Sequence, residues 1–169
     1  MKRILLTACL LTAALLPAAA QQFALIDMEY ILERMPAYTE ANNEIEAASE
    51  QWQAEIEAVT AQAKELYDGY QASASSLTDT QRTQREQAIV DKEKEAAELR
   101  RAYFGPEGEL AKLQDELLGP IEDSIYEAVK AVAKAQGYAV VFDRASDQSI
   151  IYASPSIDIS KQVLTKLGY

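Results

Sequence analysis

Between Ala37 and Tyr70 the chain runs with no proline and one glycine, Gly69. Small or apolar residues recur there in alternating steps of three and four: Ile45, Ser49, Trp52, Ile56, Val59, Ala63, Leu66, Tyr70. That spacing repeats the same face of a helix every seven residues, so it predicts one long helix lying along a partner helix. The pattern stops at "YQASASSLTDTQ", where serines and threonines replace it and Asp79 offers a helix cap. A second charged helix is expected from about Thr80 to Tyr103, with Ile89, Ala96, Leu99 and Tyr103 on one stripe. Two antiparallel helices of roughly 35–40 residues make an arm of about 50–60 Å at 1.5 Å rise per residue.

Gly-Pro followed by acidic residues occurs twice on the return, in "YFGPEGEL" (103–110) and "LLGPIEDS" (117–124). Proline suits a first helical position and acids suit the first turn, so Pro106 and Pro120 are expected to kink or restart the helix. A phosphate-holding role for Gly105 and Gly108 is not expected, because no Lys-Ser/Thr pair follows and acids surround them. The last long helix, Ile121 to Ala135, should end at Gly137.

The ends of the chain differ from its middle. "QFALID" (22–27) reads as a strand, with Asp27 capping a short helix that Pro36 interrupts. "GYAVVFDRASDQSIIYAS" (137–154) reads as two strands across a polar turn, and Asp158 can cap a closing helix from about Ile159 to Leu167. An isolated hairpin is marginal in water. The first strand supplies a third partner if the helices double back, but "YAVVFDR" is apolar on both faces, Val140 and Phe142 on one and Ala139 and Val141 on the other. A sheet buried on both sides needs more cover than one small helix gives, so association with further copies is expected.

At the N-terminus, Lys2 and Arg3 precede the apolar run "ILLTACLLTAALL" and then "PAAAQQ". This is the pattern of a secretory leader cleaved after Ala20. The run is too short for a spanning helix, and only Ile4 and Leu5 precede "LTAC", too little for a lipidation site. Cys9, the only cysteine, leaves with the leader, and there is no histidine. The mature chain therefore has no disulfide, no thiolate chemistry and none of the commonest general base. Losing Lys2 and Arg3 takes the net charge from −11 to −13. Such acidity argues against nucleic acid or an anionic membrane as a partner.

Carboxylates are abundant, but pairs such as Asp115–Glu116 or Glu122–Asp123 point to different sides of a helix. No calcium-loop pattern, nucleophile with a base, or cofactor fingerprint is present, so neither catalysis nor a cofactor is expected. The aromatic residues carry more information. Trp52 fits the seam of the coiled coil. Tyr67 and Tyr70 lie where the seam thins, and with Leu77 at the turn they are the candidates for touching another polypeptide.

The order of elements, with "FALIDMEYILERMPAY", "YFGPEGEL" and "GYAVVFDRASDQSIIYASPSIDISKQVLTKLGY", resembles the Skp or OmpH family of periplasmic chaperones over the whole mature chain. The resemblance implies an α+β, mostly α fold: a small β-body from residues 21–36 and 137–169, and a helical-hairpin arm from residues 37–136. It implies a jellyfish-shaped homotrimer whose strands pair between copies, with Phe23, Leu25, Val140, Phe142, Ile150 and Tyr152 at the interface. It further implies an ATP-independent holdase that keeps unfolded outer-membrane proteins from aggregating, with Trp52, Tyr67, Tyr70 and Leu77 as client contacts. An envelope adaptor without client binding is the alternative, although the chain leaves no room for the second domain an adaptor usually carries. The best-known members are basic and have a proposed lipopolysaccharide contact. This chain is acidic, and "RRAY" (100–103) reads as ordinary helix surface, so neither lipopolysaccharide binding nor charge attraction to acidic clients is expected.

Overall fold

The computed structural model describes residues 22–146 and 150–169. The leader expected over residues 1–20 and the turn at 147–149 lie outside them. The elements in chain order are β1 (Gln22–Ile26), α1 (Met28–Leu32), α2 (Pro36–Ser73), α3 (Asp79–Phe104), α4 (Glu109–Gln136), β2 (Tyr138–Asp143) and α5 (Ser160–Leu167). Short 3-10 turns occupy Ala74–Ser76 and Pro155–Ile157.

The outgoing limb of the arm, α2, is 38 residues long, about 57 Å at 1.5 Å per residue. Pro36 opens it at the first position, where a missing N–H costs nothing. The return limb is two helices, α3 of 26 residues and α4 of 28. The cap of α3 is Thr78, not Asp79: Thr78 Oγ1 accepts from the Gln81 amide while Gln81 Oε1 accepts from the Thr78 amide. That reciprocal pair satisfies two orphan amides, and Asp79 sits in the first turn, where its charge suits the dipole.

The two Gly-Pro sequences behave differently. At the first, α3 stops and α4 restarts at Glu109 with Gly108 as its cap, so Pro106 lies in the intervening turn rather than at a helix start. The backbone here is too tight for any side chain. A Cβ on Gly105 would stand 2.3 Å from the Arg101 carbonyl oxygen, and one on Gly108 would stand 2.6 Å from that of Tyr103. At the second, the expected restart does not occur, and α4 runs through Pro120. Leu117, Leu118, Ile121 and Ile125 continue one apolar stripe across it into the core, and that packing outweighs the one hydrogen bond that proline removes. Gly137 ends α4 in the left-handed region at φ 77, where glycine carries no Cβ penalty.

β1 and β2 pair in parallel, Phe23 with Val140, Ala24 with Val141, and Leu25 with Phe142. A parallel pair needs a long crossover, and the whole arm serves as it. On the other edge of β1, the Ile159 amide donates to the Leu25 carbonyl at 2.9 Å, a single bridge between Leu25 and Asp158. The second strand expected at "SIIYAS" is absent: Ile150–Ser154 form neither strand nor helix, and the only sheet among the described residues has two strands. The outer edge of β2, where the expected hairpin would close, carries no strand among the described residues. Within one copy, the edge of β1 that β2 leaves free is taken at Leu25 by the Asp158–Ile159 segment.

One face of the sheet, Ala24, Ile26 and Val141, rests on a core of Ile31, Met35, Ile121, Ile125, Ala128, Val132, Ile159, Val163 and Leu164. In α4 these buried residues recur at steps of four, three and four, the stripe of an amphipathic helix.

Candidate functional site

Two surfaces carry the residues singled out in the sequence: the outward face of the sheet and the arm. On the sheet, alternation puts Phe23, Leu25, Val140 and Phe142 on the face opposite the helical core. Phe23 is 55% exposed, Val140 48% and Phe142 44%. The two phenylalanine rings meet edge to face at 6.5 Å. Leu25 shares their pleat yet is buried within the chain, beside the cleft lined by Ala153, Pro155 and Asp158. Ile150 is half-buried, and Tyr152, 84% exposed, stands with Ile151 almost wholly in water. The structure thus gathers three of the six expected residues into one apolar patch and leaves Leu25 beneath it.

A polar knot fixes the rim of that sheet. Asp27 Oδ1 caps α1 by accepting from the Tyr30 amide at 2.9 Å. Its Oδ2 accepts from Arg144 Nε and Nη2, at 3.0 and 2.7 Å. The Asp27 amide donates to Ser160 Oγ at 2.8 Å, and Ser160 Oγ donates to Asp158 Oδ1 at 2.6 Å. Asp158 therefore organises the start of α5 through Ser160, whose amide it also accepts. Asp143 Oδ1 accepts from the Met28 amide at 3.0 Å. The end of β1 is tied here to the end of β2 and to the start of α5, each more than a hundred residues away in sequence. The Tyr30 amide, then the Arg144 guanidinium, hold the Asp27 carboxyl below the usual carboxylate range.

In the arm, Ile56, Val59 and Ala63 of α2 and Ile89 and Ala96 of α3 are buried between the limbs. Trp52 is half-buried in the same seam. Its ring stacks on Tyr103 at 5.2 Å and meets Phe104 edge-on at 6.4 Å. Tyr103 donates its hydroxyl to Glu55 at 2.7 Å, which raises its pKa above the usual tyrosine value. These contacts stitch the limbs beside the Gly105 turn, so Trp52 stands as a seam residue. Towards the tip, Tyr70 is half-buried and donates to Glu86 across the seam at 2.6 Å, with its pKa raised for the same reason. Tyr67 is 48% exposed, Leu66 41% and Val90 53%, while Leu77 is half-buried at the turn. Leu66 and Val90 are the apolar arm residues the sequence reading missed as candidate contacts. The Tyr70–Glu86 contact sets the antiparallel register: Leu66 is four residues before Tyr70 and Val90 four after Glu86, so the two lie level.

Among the described residues there is no group of three or more His, Cys, Asp or Glu side chains placed to hold a metal ion. No described helix is long and apolar enough to cross a membrane.

An OmpH-like candidate outer membrane chaperone from Caulobacter crescentus CB15 has a solved structure similar to this one, with a TM-score of 0.66. The likeness covers 88% of this chain and 85% of that one at 14% sequence identity, a similarity of fold. No curated protein matches the sequence. The family model described as outer membrane protein (OmpH-like) matches residues 22–167 of the 169, and the chain belongs to that OmpH-like family.

Proposed function

We propose that this chain is a periplasmic holdase, which binds unfolded outer-membrane proteins without ATP and keeps them from aggregating. The leader ending at Ala20 would carry it across the inner membrane. Three copies would assemble through the exposed sheet face, with Phe23, Val140 and Phe142 at the centre, Leu25 behind them, and Ile150 and Tyr152 pairing across copies. The three arms would then surround a shared space for the client.

The observation that carries this reading is the uneven seam of the arm. It is closed at Ile56, Val59 and Ala63, and beyond them Leu66, Tyr67 and Val90 stand half in water. A holdase needs many weak apolar contacts on an adaptable surface rather than one shaped pocket, since its clients share no sequence. Tyrosine suits such contacts, having an apolar ring and a polar tip. Tyr70 and Leu77 extend the same surface towards the turn, and Trp52 supports it from the seam.

Light scattering of a porin diluted from denaturant tests the reading. The mature chain should suppress the signal with no nucleotide present, and a Tyr67→Ser, Leu66→Ser double variant should suppress it less. Aggregation proceeding at the same rate with and without the wild-type chain would end the holdase reading and favour a purely structural role.

A further inference from the structure

The outgoing limb α2 and the helix that runs back beside it from the tip, α3, differ in electrostatic character. α2 carries eight carboxylates (Glu40, Glu44, Glu46, Glu50, Glu55, Glu57, Glu65, Asp68) against one lysine, Lys64, for a net −7. α3 carries six acids and six bases and is neutral. More than half of the mature charge of −13 therefore lies on one helix. Within α2, Lys64 already sits on Asp68 at 2.5 Å, and no other described acid of that helix has a cation within ion-pair distance. Glu50, Glu57 and Glu65 are all exposed. Two uncovered apolar side chains of the limb, Leu66 and Tyr67, lie between Glu65 and Asp68 in sequence. Apolar contact and negative potential thus coincide on the same stretch of α2.

We infer that α2 is the selective wall of the arm, and that it takes unfolded segments of net positive charge in preference to acidic segments of equal hydrophobicity. The inference rests on the holdase reading and adds a client class to it. Leu66 and Tyr67 supply contact that any unfolded chain could use. Glu65 beside them and the unpaired carboxylates further along the limb decide which chain arrives and stays, because like charge across an interface is costly and opposite charge speeds encounter. The neutral helix α3, which runs beside α2 at the tip, cannot make that distinction. Such selection must fade as salt rises, since the screening length is about 10 Å at 0.1 M.

The test uses the full mature chain and two unstructured peptides of equal length and apolar content, one with lysines where the other has glutamates. Binding is followed by fluorescence anisotropy across a sodium chloride series. At low salt the lysine peptide should bind about tenfold tighter, within the range that electrostatic steering provides, and the two affinities should converge as salt rises. E50Q/E57Q/E65Q should erase most of that preference, and these exposed positions leave the fold intact by far-UV circular dichroism. D91N/E93Q/E98Q, which removes as many charges from α3, should preserve it. Equal affinities at low salt would overturn the inference, as would equal losses from the two triple variants, which would make net charge and not α2 the cause. If neither peptide binds while porin aggregation is still suppressed, the charge selection is wrong and the holdase stands; if aggregation is not suppressed either, both fall.

Discussion

Replacing Phe142 with aspartate should dissociate the proposed trimer and leave the single chain folded. An aromatic side chain offers about 150–250 Å² of surface. With Phe23 55% and Phe142 44% exposed, about 100 Å² of each ring remains in water in the single copy. Covering both releases about 5 kcal/mol per copy at about 25 cal/mol per Å². Val140, 48% exposed, adds to this. Phe142→Asp removes about half of that gain and buries a carboxylate with no cation described beside it, at a further cost of several kcal/mol per copy. The penalty recurs in all three copies, which is more than an assembly of micromolar affinity can absorb. The single chain loses little, because its core lies on the opposite face of the sheet. Sedimentation velocity should show the wild type at three times the mature mass and the variant at one, with matching circular dichroism. A wild type that sediments as a monomer at micromolar concentration, or Phe142→Asp and Val140→Asp variants that both remain trimeric, would refute the reasoning.

Deleting the distal arm from Tyr67 to Arg82 should leave the oligomer intact by the same measurement, because the apolar sheet face lies at the opposite end of α2. Gly108→Ala must push a Cβ against the Tyr103 and Ala102 carbonyl oxygens, at 2.6 and 2.8 Å, and should cost about 1–3 kcal/mol as an overpacking change. Gly119→Ala meets nothing within 4 Å inside α4 and should stabilise instead, by about 0.5–1 kcal/mol of helix propensity, and so raise the melting temperature; equal shifts in the two variants would contradict the strained turn. The lowered pKa of Asp27 means that the folded state binds its proton less readily than the unfolded one. Its contribution is therefore full above the ordinary value of 3.8 and is lost as pH falls through the lower folded value. Asp27→Asn keeps a capping side chain but loses the charged pairing with Arg144, about 0.2–1 kcal/mol at neutral pH, and should flatten the loss of stability below pH 4 in urea titrations.

The helices were legible because their signal is local. Periodicity at three and four residues in Ile45–Tyr70 and Ile121–Val132 states which face is covered, whatever covers it. The end of the first strand was legible too, since Asp27 caps α1 through its own neighbour Tyr30. What failed to read depended on distant neighbours. "SIIYAS" has the composition of a strand, but composition does not say what pairs with it: among the described residues the outer edge of β2 carries no strand, and the bridge from this end of the chain goes to β1 instead, between Leu25 and Asp158. Leu25 fits the alternation of an exposed face, and is buried because a segment more than a hundred residues away folds beside it. The two Gly-Pro sequences look alike, yet only one breaks a helix. A signal was present there: apolar residues flank Pro120 on both sides, whereas after Phe104 none follows until Leu110.

The distribution of burial also assigns different mechanical work to the two ends of the molecule. The body packs isoleucine, valine and leucine from three helices and a strand, with Ala41 of α2 beside them, and the knot of Asp27, Arg144, Asp158 and Ser160 ties the start of the chain to its end. The arm has only Ile56, Val59, Ala63, Ile89 and Ala96 buried along most of its length, two of them alanines. Cross-limb hydrogen bonds such as Tyr70–Glu86 and Tyr103–Glu55 are exposed and add little each. Local opening costs least where buried apolar contact is sparse, so the limbs can part near the tip without disturbing the body. Parting exposes more of the same seam, beginning with the residues beside Leu66 and Tyr67. In the proposed trimer a client of greater size would therefore meet a larger apolar surface on the three arms. On the holdase reading proposed above, the sparse seam that makes the arm weak as a coiled coil is thus what would suit it to clients of no fixed shape.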